Sequence, residues 1–246
     1  MSEFDGSRLS GSVSIFLPLR SGSQRVKNKN TRPFLKDGTS LFQLKMRQLL
    51  ALSHTVLEIV ISTDDMEVME QARPFQASEE NVTLIKRPRS LCLSSTKVAD
   101  LIAYVPSVTR GDHILWVHAT APFVNASDYL GALSNYQRDI ENGPFDSLMS
   151  VSKIQQFIWD DRKKSIINCN RTVNPWPNTQ DLDPLYEINH AYYMADRSIY
   201  EELGDRIGKR PSLMVMDSVK KMDIDWPEDF ELAAIVARAM KESEIF

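Results

Sequence analysis

The sequence predicts an α/β fold of three layers, with a mostly parallel sheet between helices. Three observations carry that expectation. Short apolar runs at Val13 to Leu19, Val56 to Ser62, Val82 to Lys86 and His113 to Val117 have the length and β-branched content of buried strands. Stretches with helical spacing of apolar residues alternate with them, and such alternation packs as a parallel sheet covered on both faces. A chain of 246 residues is enough for one domain of this kind.

Bulk properties narrow the function. Hydrophobic content of 42% and charged content of 25% are ordinary for a globular domain. A net charge of −4 argues against general nucleic-acid binding. No apolar run approaches the ~20 residues of a membrane helix. Met1 to Ser12 is polar, lacks the apolar core of a signal peptide, and reads as a disordered arm (residues 1–12) before a single domain over 13–246. Cys92 and Cys169 form no CxxC, so neither a disulfide framework nor a zinc site is suggested, and a cytoplasmic setting fits.

The first strand runs into a loop with five cations, Arg20, Arg25, Lys27, Lys29 and Arg32, and no acid among them. Gly22 between Ser21 and Ser23 lets the backbone turn and aim N–H groups at an anion. The loop suits a polyphosphate; as a bare charge cluster it also reads as a solvated surface loop. It contains neither GxxxxGK[ST] nor GxGxxG, which disfavours a P-loop NTPase or a dinucleotide dehydrogenase.

Ser40 is placed to cap a helix from Leu41 to Ser53 whose apolar face includes Leu41, Leu44 and Leu49. The second strand ends in Ser62-Thr63-Asp64-Asp65, where an Asp is either a ligand at a strand end or a helix cap. A helix over 67–75 and the strand Val82 to Lys86 lead to Arg87, which either forks onto an anion or makes a surface ion pair. Helix 97–105 follows. The fourth strand leads to His118, which contacts either a ligand or a backbone carbonyl. Asn125 is placed to cap a helix over 126–140, and Gly143-Pro144 turns the chain into a strand over 147–153.

Periodicity dissolves between Phe157 and Asp183, a stretch rich in Trp and Pro; such long irregular segments are commonly functional or interface-forming. A strand over 188–195, a short helix over 196–203, a strand over 213–216 and a last helix to Met240 complete the chain. Just before that helix, Asp223 and Asp225 stand two apart. If extended, their carboxylates share a side and repel unless a cation such as Mg²⁺ sits between them. Alternatively Asp225 caps the helix that Pro227 begins.

Several of these segments together resemble the CMP-sugar synthetases, the acylneuraminate cytidylyltransferases. Pro18, Arg20, Ser23, Lys29 and Asn30 fit that family's loop pattern P-A-R-x-x-S-K-x-x-x-x-K-N, with Leu19 and Gln24 departing and Arg25 beside Gln24. Ser62 to Asp65 fits S-T-D-D, and Arg87 to Thr96 fits R-P-x-x-L-x-x-x-x-T. Thr120 and Pro122 fit L-Q-P-T-S-P-L-R, where His118 replaces the glutamine and Val124 the arginine. Asn189 to Tyr193 resembles N-G-A-I-Y, and Asp223 to Asp229 resembles D-I-D-T-P-E-D, with Trp226 in place of the threonine.

The resemblance implies a Rossmann-like nucleotidyltransferase sandwich with a dimerisation and substrate arm over 155–185. It implies transfer of CMP from CTP to the anomeric hydroxyl of an acidic keto-sugar, with release of pyrophosphate, in a homodimer that binds neither nucleic acid nor membrane. Arg20, Lys29, Asp223 and Asp225 would be catalytic, the two aspartates holding Mg²⁺. Ser21, Gly22, Ser23, Arg25, Asn30, Arg87 and His118 would bind nucleotide, and Thr120, Gln180, Asn189 and Tyr192 the acceptor. An arginine of the family's acceptor site is replaced by Thr179, so either Lys163, Lys164 or Arg171 of the arm grips the acid or the acceptor differs. The rival readings are another nucleotidyltransferase, with a different nucleotide or a non-sugar acceptor, and a non-catalytic nucleotide-binding relative.

Overall fold

The structure is a computed structural model that describes residues 11–22, 25–240 and 245. The proposed N-terminal arm therefore falls almost wholly outside the described residues. The strands are β1 (Val13–Pro18), β2 (Glu58–Thr63), β3 (Val82–Lys86), β4 (His113–Val117), β5 (Ser147–Ile154), β6 (Trp159–Asp160), β7 (Ser165–Ile166), β8 (Leu185–Asp196) and β9 (Pro211–Val215). The helices are α1 (Leu41–Leu50), α2 (Met66–Ser78), α3 (Val98–Tyr104), α4 (Ala126–Asn142) and α5 (Pro227–Ala239).

Seven strands form one sheet in the order β3-β2-β1-β4-β8-β5-β9. Four of its pairings are parallel; the two made by β8, with β4 and β5, are antiparallel. The expectation of a mostly parallel sheet holds, and β8 is the exception because the chain returns from the arm between β4 and β5. The order reverses direction between β1 and β4, and in open α/β sheets ligands bind beyond the carboxyl ends of the strands at such a point. The arm carries the small β6–β7 hairpin.

Side chains from the two faces of the sheet build separate cores. On one face Ile15, Leu17, Ile59 and Val117 pack with Phe42, Leu49 and Ala132 of α1 and α4. On the other, Phe16, Val60, Trp116 and Tyr193 pack with Ile102 of α3 and Tyr200. Tyr200 lies in a π-helical turn over Ile199–Leu203, where the sequence predicts a short helix; Gly204 ends it in the left-handed region at φ +63°.

A third core sets the site. Val26 and Phe34 after β1 pack with Leu44 of α1, Ile224, and Phe230 and Ala233 of α5. Ile224 is fully buried, a change worth roughly 1.5–3 kcal/mol for a side chain of this size. Burying Ile224 fastens the D-x-D segment to the loop after β1 although nearly two hundred residues separate them in sequence. The caps expected at Ser40 and Asn125 are present, and at the end of β2 the cap alternative falls to Asp65, each side-chain oxygen accepting a backbone N–H.

Lys45 of α1 is wholly buried and donates to the carbonyls of Ala121 and Val124, both at 2.9 Å, and to the Tyr129 hydroxyl at 2.8 Å. Burial pulls its pKa down to about 7, with Asp128 opposing. This lysine fixes the 119–125 loop, and Val124 is fully buried within the core beneath it. Among the described residues no helix is long and apolar enough to cross a membrane.

Candidate active site

A cleft of about 320 Å³ opens at the carboxyl ends of β1 and β4. Arg20, Arg25, Lys29 and Asn30 line it from the loop, His118 and Thr120 from the end of β4, and Asp225 from the segment before α5. The basic loop and the D-x-D segment, far apart in sequence, therefore face each other.

Ile224 organises the meeting. Its N–H donates to the Thr120 carbonyl at 2.9 Å, and its carbonyl accepts from Lys29 Nζ at 2.6 Å. Lys29 Nζ is also 3.6 Å from Asp225 Oδ1, and Arg25 Nη1 is 3.1 Å from Asp225 Oδ2. The Arg25 guanidinium lies over the Trp226 ring, 4.4 Å from its centroid. Burial lowers the pKa of Lys29, while Asp225 and Asp223 act to keep its charge.

Asp225 is not a helix cap. The N-cap position of α5 is Trp226, and the donors there are taken by Asp229 Oδ2, from Asp225 N at 3.0 Å and Trp226 N at 2.7 Å. The Asp225 carboxylate is left for the cleft. Asp223 is more enclosed. Burial pushes its carboxyl up, the hydrogen bond from the Thr120 hydroxyl opposes this, and Asp225 reinforces the rise. Asp223 Oδ1 is buried without a hydrogen-bond partner. Among the described residues three other buried side-chain atoms share that condition, Gln48 Oε1 and the hydroxyls of Tyr192 and Tyr200, and of the four only Asp223 Oδ1 is a carboxylate oxygen. An acceptor-only oxygen with no donor, beside a second carboxylate, is the donor set of a hard divalent cation that takes its remaining ligands from substrate phosphate and water. Among the described residues no group of three or more His, Cys, Asp or Glu is placed to hold a metal ion, so a cation here would have only these two aspartates as carboxylate ligands from the protein.

Other predicted residues take different places. Ser21 turns inward: its N–H and hydroxyl donate to Asp64 at 2.8 and 2.7 Å, holding that carboxyl below the usual range against the burial that would raise it. Gly22 adopts φ +68°, the left-handed turn expected of it. Ser23 lies outside the described residues. Arg20 is exposed and reaches only the Leu93 carbonyl, at 3.4 Å. Arg87 is buried and does not line the cleft; its guanidinium donates to the carbonyl and hydroxyl of Ser62. It is neither a surface ion pair nor, in this structure, a cleft cation.

His118 takes the structural alternative while still lining the cleft. Trp116 Nε1 donates to its Nε2 at 2.9 Å, and its Nδ1–H donates to the His190 carbonyl. Burial and the nearby Arg206 charge pull its pKa down to about 3, so the ring is neutral.

The acceptor residues need the most correction. Tyr192 is fully buried on the α4 face, its ring 5.7 Å from that of Tyr129, and it cannot touch a ligand. Its neighbour Tyr193 points to the opposite face and sits beside His118 and His190. Asn189 is buried between β5 and β8: its Oδ1 accepts from Ser150 Oγ at 2.6 Å and from Ala191 N at 3.3 Å. It holds the register shift in β5 between Met149 and Val151 rather than lining the cleft. Gln180 is exposed in a turn of the arm and also does not line the cleft. His190 adopts φ +58°, a conformation that explains why the resembling pattern carries glycine there. Lys45 and Arg206 carry no sequence motif that marks them, and Asp64, in the strand-end pair read as ligand or cap, is neither: it holds Ser21. The available signal for Lys45 was a lysine at the i+4 step between Leu41 and Leu49 on an apolar helix face.

Comparison with known proteins bears on the family and the fold. The family described as Cytidylyltransferase matches residues 15–240. A pseudaminic acid cytidylyltransferase of Campylobacter jejuni is 26% identical over 234 residues, covering 92% of this chain and 97% of the relative. Among solved structures, a CMP:2-keto-3-deoxy-manno-octonic acid synthetase complexed with CTP superposes with a TM-score of 0.61 at 17% identity, covering 93% of this chain and 100% of that one. A 4-diphosphocytidyl-2C-methyl-D-erythritol synthase from Anaerococcus prevotii gives the same TM-score at 12% identity, over 92% and 96% of the two chains. These two likenesses establish the shared fold.

Proposed function

The chain belongs to the cytidylyltransferase family, a family of CTP-dependent nucleotidyltransferases, and we propose that it transfers CMP to the anomeric hydroxyl of an acidic keto-sugar of the nonulosonate kind. The observation that carries this reading is the cleft itself, with Arg20, Arg25 and Lys29 on one side, the Asp225 carboxylate on the other and the buried Asp223 carboxylate two residues before it. The similarity to a pseudaminic acid cytidylyltransferase supports the acceptor class.

In this mechanism the loop cations hold the triphosphate and offset charge that grows on the phosphate oxygens during transfer. The anomeric oxygen attacks the α-phosphorus, the bond to the β-phosphate breaks, and pyrophosphate leaves. The hydroxyl proton passes to water in the open cleft, because His118, with both ring nitrogens engaged, is not available as a base. Asp223 and Asp225 would hold Mg²⁺, which when bound supplies Lewis-acid charge at the phosphates.

The reading extends to a homodimer formed through the arm, supported by the exposed Trp159, Val173 and Trp176, and to a cytoplasmic setting. Light scattering on the purified protein tests the dimer. The reaction is tested by measuring pyrophosphate from CTP, UTP, ATP and GTP, each with pseudaminate, N-acetylneuraminate, legionaminate and 2-keto-3-deoxy-manno-octonate. Release with CTP and at least one acid is expected. Release with another nucleotide alone, or with none, would refute the reading.

A further inference from the structure

The start of α5 offers two aromatic rings to the basic loop. The Arg25 guanidinium carbon lies over the Trp226 ring, 4.4 Å from its centroid, and that of Arg32 over the Phe230 ring at 4.3 Å. Trp226 and Phe230 are joined by the first backbone hydrogen bond of the helix, Phe230 N to the Trp226 carbonyl at 3.2 Å, so they stand one turn apart on the same side. The two stacks differ in what they hold. Phe230 is part of the third core, and Arg32 does not line the cleft. Trp226 is 56% exposed and belongs to none of the three cores, whereas its arginine lines the cleft.

Helix capping does not account for this tryptophan. The side chains that serve an N-cap are Ser, Thr, Asp and Asn, and here the Trp226 N–H is satisfied by Asp229 Oδ2 at 2.7 Å. What the ring does touch is Arg25. That arginine is held in three ways. Val26, the next residue, is buried in the third core and anchors the backbone. Asp225 Oδ2 takes Nη1 at 3.1 Å. The indole covers a face of the guanidinium. An exposed ion pair fixes a long side chain only weakly, and an arginine gives up much rotamer freedom when it is fixed. Stacking adds a second hold and takes up none of the in-plane N–H donors. Arg20, which also lines the cleft, has one long contact with the Leu93 carbonyl in place of such a bed.

We propose that Trp226 is a positioning residue for the phosphate site: its ring keeps the Arg25 guanidinium preformed in the cleft, with free N–H donors turned to the oxygens of a polyphosphate chain. The proposal rests on the reading above that the loop cations hold a triphosphate. A cation set in place before the ligand arrives loses less freedom on binding, and the saving appears as affinity. The indole touches no reacting atom and acts through Arg25 alone. The Phe230 stack, turned away from the cleft, fastens the loop and does no more.

The test is calorimetric titration of two probes, CTP and inorganic tripolyphosphate, into the wild type and five variants: Arg25→Ala, Trp226→Thr, the double variant of these two, Trp226→Phe and Arg32→Ala. Arg25→Ala should weaken both probes at least about tenfold. Trp226→Thr should weaken both about two- to fivefold, with the melting temperature held or raised, since threonine is the better cap. Trp226→Phe keeps a ring and should recover most of that loss. In the Arg25→Ala background Trp226→Thr should cost nothing further, because the ring then has no cation to hold. Arg32→Ala should stay within about twofold of the wild type. Undiminished affinity in Trp226→Thr, the same loss with and without Arg25, or a loss in Arg32→Ala equal to that in Trp226→Thr would overturn the assignment. Tripolyphosphate separates this failure from that of the nucleotide reading. If the wild type binds tripolyphosphate and not CTP, the nucleotide reading falls and the Trp226 assignment is decided by the tripolyphosphate series. If it binds neither probe, both fall.

Discussion

The two sides of the sheet treat their polar residues in opposite ways. Beyond β1 and β4, Arg25 and Lys29 face Asp225 across an open cleft, and behind it Asp223 keeps a buried oxygen that nothing satisfies. Between β5 and β8, Ser150, Ser152 and Asn189 bond one another and close off. Leaving a buried polar group unpaired costs roughly 1–3 kcal/mol, more when it is charged. A site that keeps such a group gains when a ligand arrives; a network that satisfies itself has nothing to offer one. The contrast separates residues left open to a ligand from residues already satisfied by one another.

The sharpest way to break the contrast is to remove charge from the D-x-D pair. Asp223→Asn and Asp225→Asn should each lower turnover by about a hundred- to a thousandfold, as loss of an electrostatic partner in a transition state does. The melting temperature should hold or rise, since Asp225 caps nothing and the Asp223 carboxylate is unpartnered by donors at Oδ1. A fall in both stability and activity would make the pair architectural. Next in size, Lys29→Ala and Arg20→Ala should each cost about a hundredfold in turnover. Arg20→Ala should leave stability unchanged, because the side chain is exposed and makes one long contact. Near-normal turnover in both would detach the loop from the phosphates.

A smaller effect concerns His118, the residue that belongs to both regions. The unfolded chain takes up a proton on this histidine below about 6.5, whereas the folded protein resists until about 3. Stability is therefore lost as pH falls through that window. His118→Gln keeps an acceptor for Trp116 and a donor for the His190 carbonyl. Denaturant melts between pH 4 and 7 should show a flatter dependence in this variant, and an identical slope would contradict the assignment. The smallest effect is expected at Tyr192→Phe, which removes a buried hydroxyl without a partner. Stability should change by no more than about 0.5 kcal/mol and turnover not at all, whereas Tyr193→Phe, which removes a hydroxyl bonded to His190, should cost about 1 kcal/mol of stability.

That last pair shows where sequence reading stops. The strands were legible because apolar runs of five or six residues have few other uses, and the D-x-D segment because two carboxylates at that spacing need a reason. The tyrosines were not. Strand alternation assigns faces only if the phase is known, and here the irregularity in β5 and the left-handed backbone at His190 reset it. Reading on from the N-G-A-I-Y resemblance therefore chose Tyr192, which faces the core. Arg87 was visible as an arginine after a strand, but its burial against Ser62 depends on packing that no local pattern records. Arg206 lies in a turn with no periodicity, and only the folded chain brings it under Trp116 and Tyr193.

The central claim is that the loop and the D-x-D pair act together on one metal-bound nucleotide. Calorimetric titration of CTP into the wild-type protein and into Asp223→Asn, with and without Mg²⁺, tests it without relying on turnover. The account predicts that Mg²⁺ tightens CTP binding to the wild type by at least about tenfold and that this gain disappears in Asp223→Asn, while binding without metal is the same in both. Equal metal enhancement in the two proteins, or CTP binding indifferent to Mg²⁺, would contradict it.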